Sequence, residues 1–123
     1  QHEGRLMSAE SDLYAVLAGY APLAALVSTR IFPDAIPEDQ PLPAVVYSTE
    51  AATPEWCLND TAAATAYRFR IVAWSTTRTS AKAVGDAIVA ALLANGVPYD
   101  NRFSGFDAEI GQFADVVEIT WWA

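Results

Sequence analysis

Apolar and polar positions alternate along this chain with two distinct periods, and the switches between them outline the elements. Over Ser8–Gly19 the apolar residues Leu13, Val16, Leu17 and Tyr20 recur at i, i+3, i+4 and i+7, one face of a helix. Ser8 is placed to cap it, and Glu10 and Asp12 set negative charge near the positive end of its dipole. Gly19 supplies a stop, and Pro22 opens a second short helix whose buried side is Leu23, Leu26 and Val27. The period then breaks. Pro33, Pro37, Pro41 and Pro43 remove donors and restrict their neighbours, so residues 30–43 are expected to be irregular, anchored by Ile31, Phe32 and Ile36.

A period of two takes over from Ala44. Val45, Val46 and Tyr47 centre a strand over 44–50. A second irregular stretch is expected over 51–64, holding Pro54, Trp56, Cys57 and Asn59-Asp60. Thr65–Trp74 is the clearest strand, with Tyr67, Phe69, Ile71 and Ala73 on one face and Arg68, Arg70, Val72 and Trp74 on the other. The helical period returns over Thr79–Asn95, where Val84, Ile88, Ala91 and Leu92 share a face and Asn95-Gly96 with Pro98 ends the element. Two short strands close the chain. Phe106, Ala108 and Ile110 alternate with Asp107 and Glu109. Val117, Ile119 and Trp121 alternate with Val116, Glu118, Thr120 and Trp122. The pattern predicts an α+β fold, with a mostly antiparallel four-stranded sheet packed against one long helix and two short N-terminal helices. Residues 1–6 read as a remnant or an upstream extension and are set aside, leaving 7–123 as a single α+β domain.

Composition narrows the function. The 123 residues are 53% hydrophobic, enough for a core without a disulfide or metal. Lys and Arg total 7 against 15 Asp and Glu, a net charge of −8, and Lys82 is the only lysine. That balance argues against gripping nucleic acid, which requires clustered cations, yet it suits a surface that lets DNA pass without holding it. One cysteine, Cys57, rules out an intrachain disulfide. The strongly apolar run 87–94 is too short to span a bilayer, so no membrane is expected.

Catalytic chemistry finds little footing. His2 is the only histidine and falls in the set-aside segment, so a Ser-His or Cys-His arrangement is not expected. Nor is a zinc site, a phosphate loop or any cofactor. Asp107 and Glu109, two apart on a predicted strand, could form an acid–base pair with Glu118 beside them. The plainer reading is cross-strand ion pairing with Arg68 and Arg70. Those four residues around a pocket would make the alternative, a small-ligand-binding or enzymatic domain. Trp121 and Trp122 point to opposite faces, and Trp56 sits in a polar stretch. Each is a core residue or an interface anchor.

Several short segments carry a resemblance. Ser-Ala-Glu-Ser-Asp-Leu-Tyr-Ala-Val-Leu (8–17), Leu-Ala-Ala-Leu-Val (23–27) and Arg-Ile-Phe-Pro-Asp (30–34) are followed by Leu-Pro-Ala-Val-Val-Tyr (42–47) and Tyr-Arg-Phe-Arg-Ile-Val-Ala-Trp (67–74). In this order they resemble the tail completion or tail terminator proteins of long-tailed bacteriophages and prophages. The resemblance implies a non-enzymatic virion structural protein of the tail, made in the bacterial host cytoplasm. It implies self-assembly into a ring, typically of six subunits, that caps the tail tube, ends its growth and offers the head-joining surface. The implied partners are the chain itself, the tail tube protein and head–tail connector proteins, with DNA passing through without specific binding. A neck or head–tail connector is the close variant. Candidate assembly residues are then Ile31, Phe32, Ile36, Trp56 and Trp122, and Glu50, Glu55 and Asp60 are candidates for a lumen-facing acidic loop.

Overall fold

The computed structural model describes the backbone of residues 2–56 and 62–123 and the side chains of residues 8–54 and 64–123. Helices α1 (His2–Ala18) and α2 (Ala21–Val27) lead into β1 (Ile31–Pro33), β2 (Ala44–Trp56) and β3 (Ala62–Ser75). Helix α3 (Arg78–Ala94), β4 (Tyr99–Asp107) and β5 (Gln112–Trp122) follow. The strands form one sheet in the order β1-β2-β3-β5-β4. The pair β1/β2 is parallel and the others are antiparallel.

Alternation on the central strands sets the layering. Tyr67, Phe69, Ile71 and Ala73 of β3 and Val117 and Ile119 of β5 are buried in the core with Val45 of β2. The helices meet them with Leu13 and Leu17 of α1, Leu23 and Val27 of α2, and Val84, Ile88 and Leu92 of α3. Each of these aliphatic side chains, fully withdrawn from water, contributes roughly 1.5–3 kcal/mol. Helix α3 is well bounded. The Thr77 side chain accepts from the Ser80 N–H at 3.1 Å, and Asn95 Nδ2 donates to the Ala91 carbonyl before Gly96 turns the chain at φ 76.

The sheet corrects the sequence reading in four places. It has five strands, because Ile31–Pro33, within the stretch expected to be irregular, lies alongside Val45–Tyr47. A proline is tolerated there because β1 is an edge and Pro33 ends it. Of the stretch 51–64, expected to be irregular, residues 51–56 and 62–64 are strand, and 57–61 lie outside the described residues. β2 runs on to Trp56 and β3 begins at Ala62, with Ala51 opposite Arg68 and Pro54 opposite Thr65. Alanine, glutamate and proline are poor local signals for a strand, and pairing with β3 overrides them. A bulge between Thr49 and Ala51 shifts the register within this long hairpin. The third correction is that α1 is no short helix, since its backbone extends from His2 and matches α3 in length, each spanning 17 residues. The fourth is that the strand expected over 106–110 lies earlier. β4 ends at Asp107, and Gly111, at φ 65, completes the turn into β5.

One contact fixes how α3 lies on the sheet. Asp115 of β5 is buried facing the helix, and Arg102 of β4 donates to its Oδ2 at 2.6 Å and to Asp86 Oδ1 of α3 at 2.8 Å. Asp115 fits because residue 85 of α3 has no side chain. A β-carbon at Gly85 would overlap the Asp115 carboxylate. Gly85→Ala gains about 1 kcal/mol of helix propensity, but it must displace a buried ion pair whose disruption costs about 3–5 kcal/mol. The clash wins. Urea unfolding of Gly85→Ala should show a net loss of about 2 kcal/mol or more, whereas an unchanged midpoint would mean the helix rides further from β5.

Candidate assembly surfaces

All three helices cover one face of the sheet, so the other face, both edges and the loops at the strand ends are left to meet solvent or neighbours. On the uncovered face Arg70 of β3 donates from Nε and Nη2 to Glu118 Oε2 at 3.2 and 2.9 Å, and its Nη2 lies 3.1 Å from Glu50 Oε2. Asn101 of β4 donates to the second Glu118 oxygen at 3.2 Å. Three strands are thereby tied together by one carboxylate. The hydrogen bonds from Arg70, then that from Asn101, hold the Glu118 carboxyl below its ordinary value, outweighing the opposing effect of burial.

Two open grooves lie near the β4–β5 turn, one on each face of the sheet. On the uncovered face, the loop between β1 and β2 folds toward Val46 and Trp74 and, with Ile36, Leu42 and Ile110, encloses about 460 Å³. Asp34 and Asp39, at φ 65 and 62, let this loop turn back sharply. On the helical side, between α3 and β4, a groove of about 330 Å³ is lined by Arg78, Lys82, Ser104, Gly105, Phe106 and Phe113. Phe106 is 55% exposed and packs on Phe113 with ring centres 4.6 Å apart. Phe103 on the same strand is 43% exposed.

The candidate residues fall in different places. Ile31 is 4% exposed and belongs to the core cluster, so it supports the fold and offers no contact surface. An apolar residue in a proline-rich stretch gave no sign that it sits on a strand. Phe32 and Ile36 are half-buried, and Ile36 lines the loop groove. Trp122 is 56% exposed at the end of β5. Glu50 and Glu55 belong to β2 and not to a loop, and Glu50 is engaged with Arg70. The side chains of Trp56 and Glu55, and Cys57 and Asp60, lie outside the described residues.

The enzymatic quartet is not assembled. Arg70 sits opposite Glu118, while Asp107 sits opposite Gln112, six residues further along β5 and about 20 Å away. Glu109 lies in the turn, where its N–H donates to Asp107 Oδ1 at 3.0 Å. The exposed aromatics of β4 and the cationic groove beside them went unnoticed in the sequence. Their signal was the spacing Arg78…Lys82 on one helix and Phe103…Phe106 on the following strand.

A one-sided sheet with exposed aromatics on an edge strand and ordered loops at its end describes a structural subunit built to contact other proteins. A family model, Tail completion protein gp17, matches residues 11–118, and the chain belongs to that family. It is a non-enzymatic structural component of a phage-like virion tail. Among solved structures, a chain of the "Virion of native gene transfer agent (GTA) particle" is similar, with a TM-score of 0.66 and 22% identity over 88% of each chain. At that identity the likeness establishes the shared fold. A comparison with curated proteins finds no match.

Because Glu118 titrates below its unfolded value of about 4.5, its stabilisation is fully present above that pH and is lost as the pH falls through the folded value. Denaturation midpoints measured from about pH 5 downward should fall less steeply for Glu118→Gln than for the parent chain. Parallel slopes would mean that other carboxylates carry the acid sensitivity.

Proposed function

We propose that this chain closes the virion tail as a ring, ending growth of the tail tube and presenting the surface to which the head is joined. The observation that carries the reading is the family match across residues 11–118. The fold it shares with a chain of a gene transfer agent virion accords with it. The exposed Phe103, Phe106 and Trp122 supply apolar contact area of the kind enriched at interfaces. The net charge of −8 fits a ring through which DNA passes without being held. On this reading the partners are further copies of the chain, the tail tube protein below and head–tail connector proteins above.

Particles produced without this chain test the proposal. The expected outcome, read by electron microscopy, is free heads together with tail tubes of uncontrolled length. Heads lacking any tail attachment but accompanied by tails of normal, uniform length would contradict the capping role and assign the chain to the neck.

A further inference from the structure

We propose that neighbouring copies in the ring meet through two unlike patches: the acidic loop between β1 and β2 of one copy enters the cationic, aromatic groove between α3 and β4 of the next. The inference rests on the ring reading and names its contact.

Charge complementarity carries it. The chain holds 7 Lys and Arg against 15 Asp and Glu, so exposed cations are scarce. Arg70 and Arg102 are consumed by Glu118, Glu50, Asp115 and Asp86, and the exposed Arg68 lies on the uncovered face, away from any helix. Arg78 and Lys82, one turn apart on α3, both exposed and outside every ion pair among the described residues, line the groove with Phe106 and Phe113, and the one carboxylate in that lining, Asp115, is buried and paired with Arg102. The loop offers the opposite sign. Asp34, Glu38 and Asp39 are exposed and form no ion pair among the described residues, with Ile36 and Pro37 between them. Its start is pinned by the Asp34 N–H donating to the Tyr47 carbonyl at 2.9 Å, so little ordering remains to be done on docking.

The two patches also have the topology a ring needs. The loop leaves β1 and the groove runs beneath β4, and these are the two edge strands of the sheet. A contact between different patches is head-to-tail, and it closes into a ring when the rotation permits. Copies that each carry −8 repel one another at long range, so a local match of opposite charge selects the register and disfavours others. The aromatic floor of the groove then receives Ile36 and Pro37.

Reversing both signs tests the contact on the full chain. One variant carries Arg78→Glu and Lys82→Glu, and the other carries Asp34→Lys, Glu38→Lys and Asp39→Lys. Circular dichroism checks that each folds, and light scattering reads mass against concentration. The parent chain is expected to assemble. Each variant alone should need a roughly hundredfold or higher concentration, since like charges then face each other. An equimolar mixture should assemble again, because in an alternating ring every groove meets a loop of opposite sign. Either folded variant assembling alone as the parent does would overturn the contact while leaving the ring intact, and so would a mixture that fails to recover. A parent chain that stays monomeric at every concentration would remove the ring reading, and the contact with it.

Discussion

The buried Asp115 carboxylate is the constraint around which the rest of the molecule is arranged. A charge at the junction of helix and sheet is tolerated only when it is paired in good geometry. Arg102 provides that pairing from β4, and Gly85 provides the space from α3. The consequence is mechanical. One arginine fastens the edge strand β4 to both its neighbour β5 and the overlying helix through Asp86. Its guanidinium is held charged chiefly by the hydrogen bond to Asp115, against the effect of burial. Without this clamp β4, whose side chains are mostly exposed, would lose its side-chain tie to α3 and keep its ladder and side-chain contacts to β5. The groove between α3 and β4 borders this clamp, with Asp115 in its lining.

On the uncovered face, Glu118 does for the strands what Asp115 does for the helix, linking β3 and β4 across β5 with Glu50 of β2 at its margin. Polar groups are well suited to that role. An apolar face of this size would invite non-specific association, while a satisfied ion network holds register and stays wet. Exposed large apolar side chains, among them Phe103, Phe106, Ile110 and Trp122, lie along β4, at its turn into β5 and at the end of β5.

Much of this was legible in the sequence wherever a period ran long enough. The inward set on β3 and the buried stripe of α3 follow from Tyr67, Phe69, Ile71 and from Val84, Ile88, Leu92, which obey one period for several turns or pleats. Legibility failed where structure is imposed by a distant partner. Ala51–Trp56 and Ala62–Ala64, rich in alanine and holding a proline, carry a weak strand signal of their own and become strands because residues 51–56 pair with residues 62–68. Ile31 looks like a loop anchor until β2 is beside it. The sites were less legible than the fold. Asp115 and Gly85 are 30 residues apart and unremarkable singly, and only the crossing of α3 over β5 makes them one feature. Carboxylates close in sequence, Asp107 and Glu109, proved to be a turn.

On the ring reading proposed above, copies of this tail completion protein meet one another around a lumen through which DNA passes without being held. Cryo-electron microscopy of the intact particle tests that claim most directly. The account predicts a closed ring of this chain at the head-proximal end of the tail tube, the β1–β2 loop of each copy lying against α3 and β4 of the next. Single copies scattered along the tube, or a ring at the far end of the tail, would contradict it.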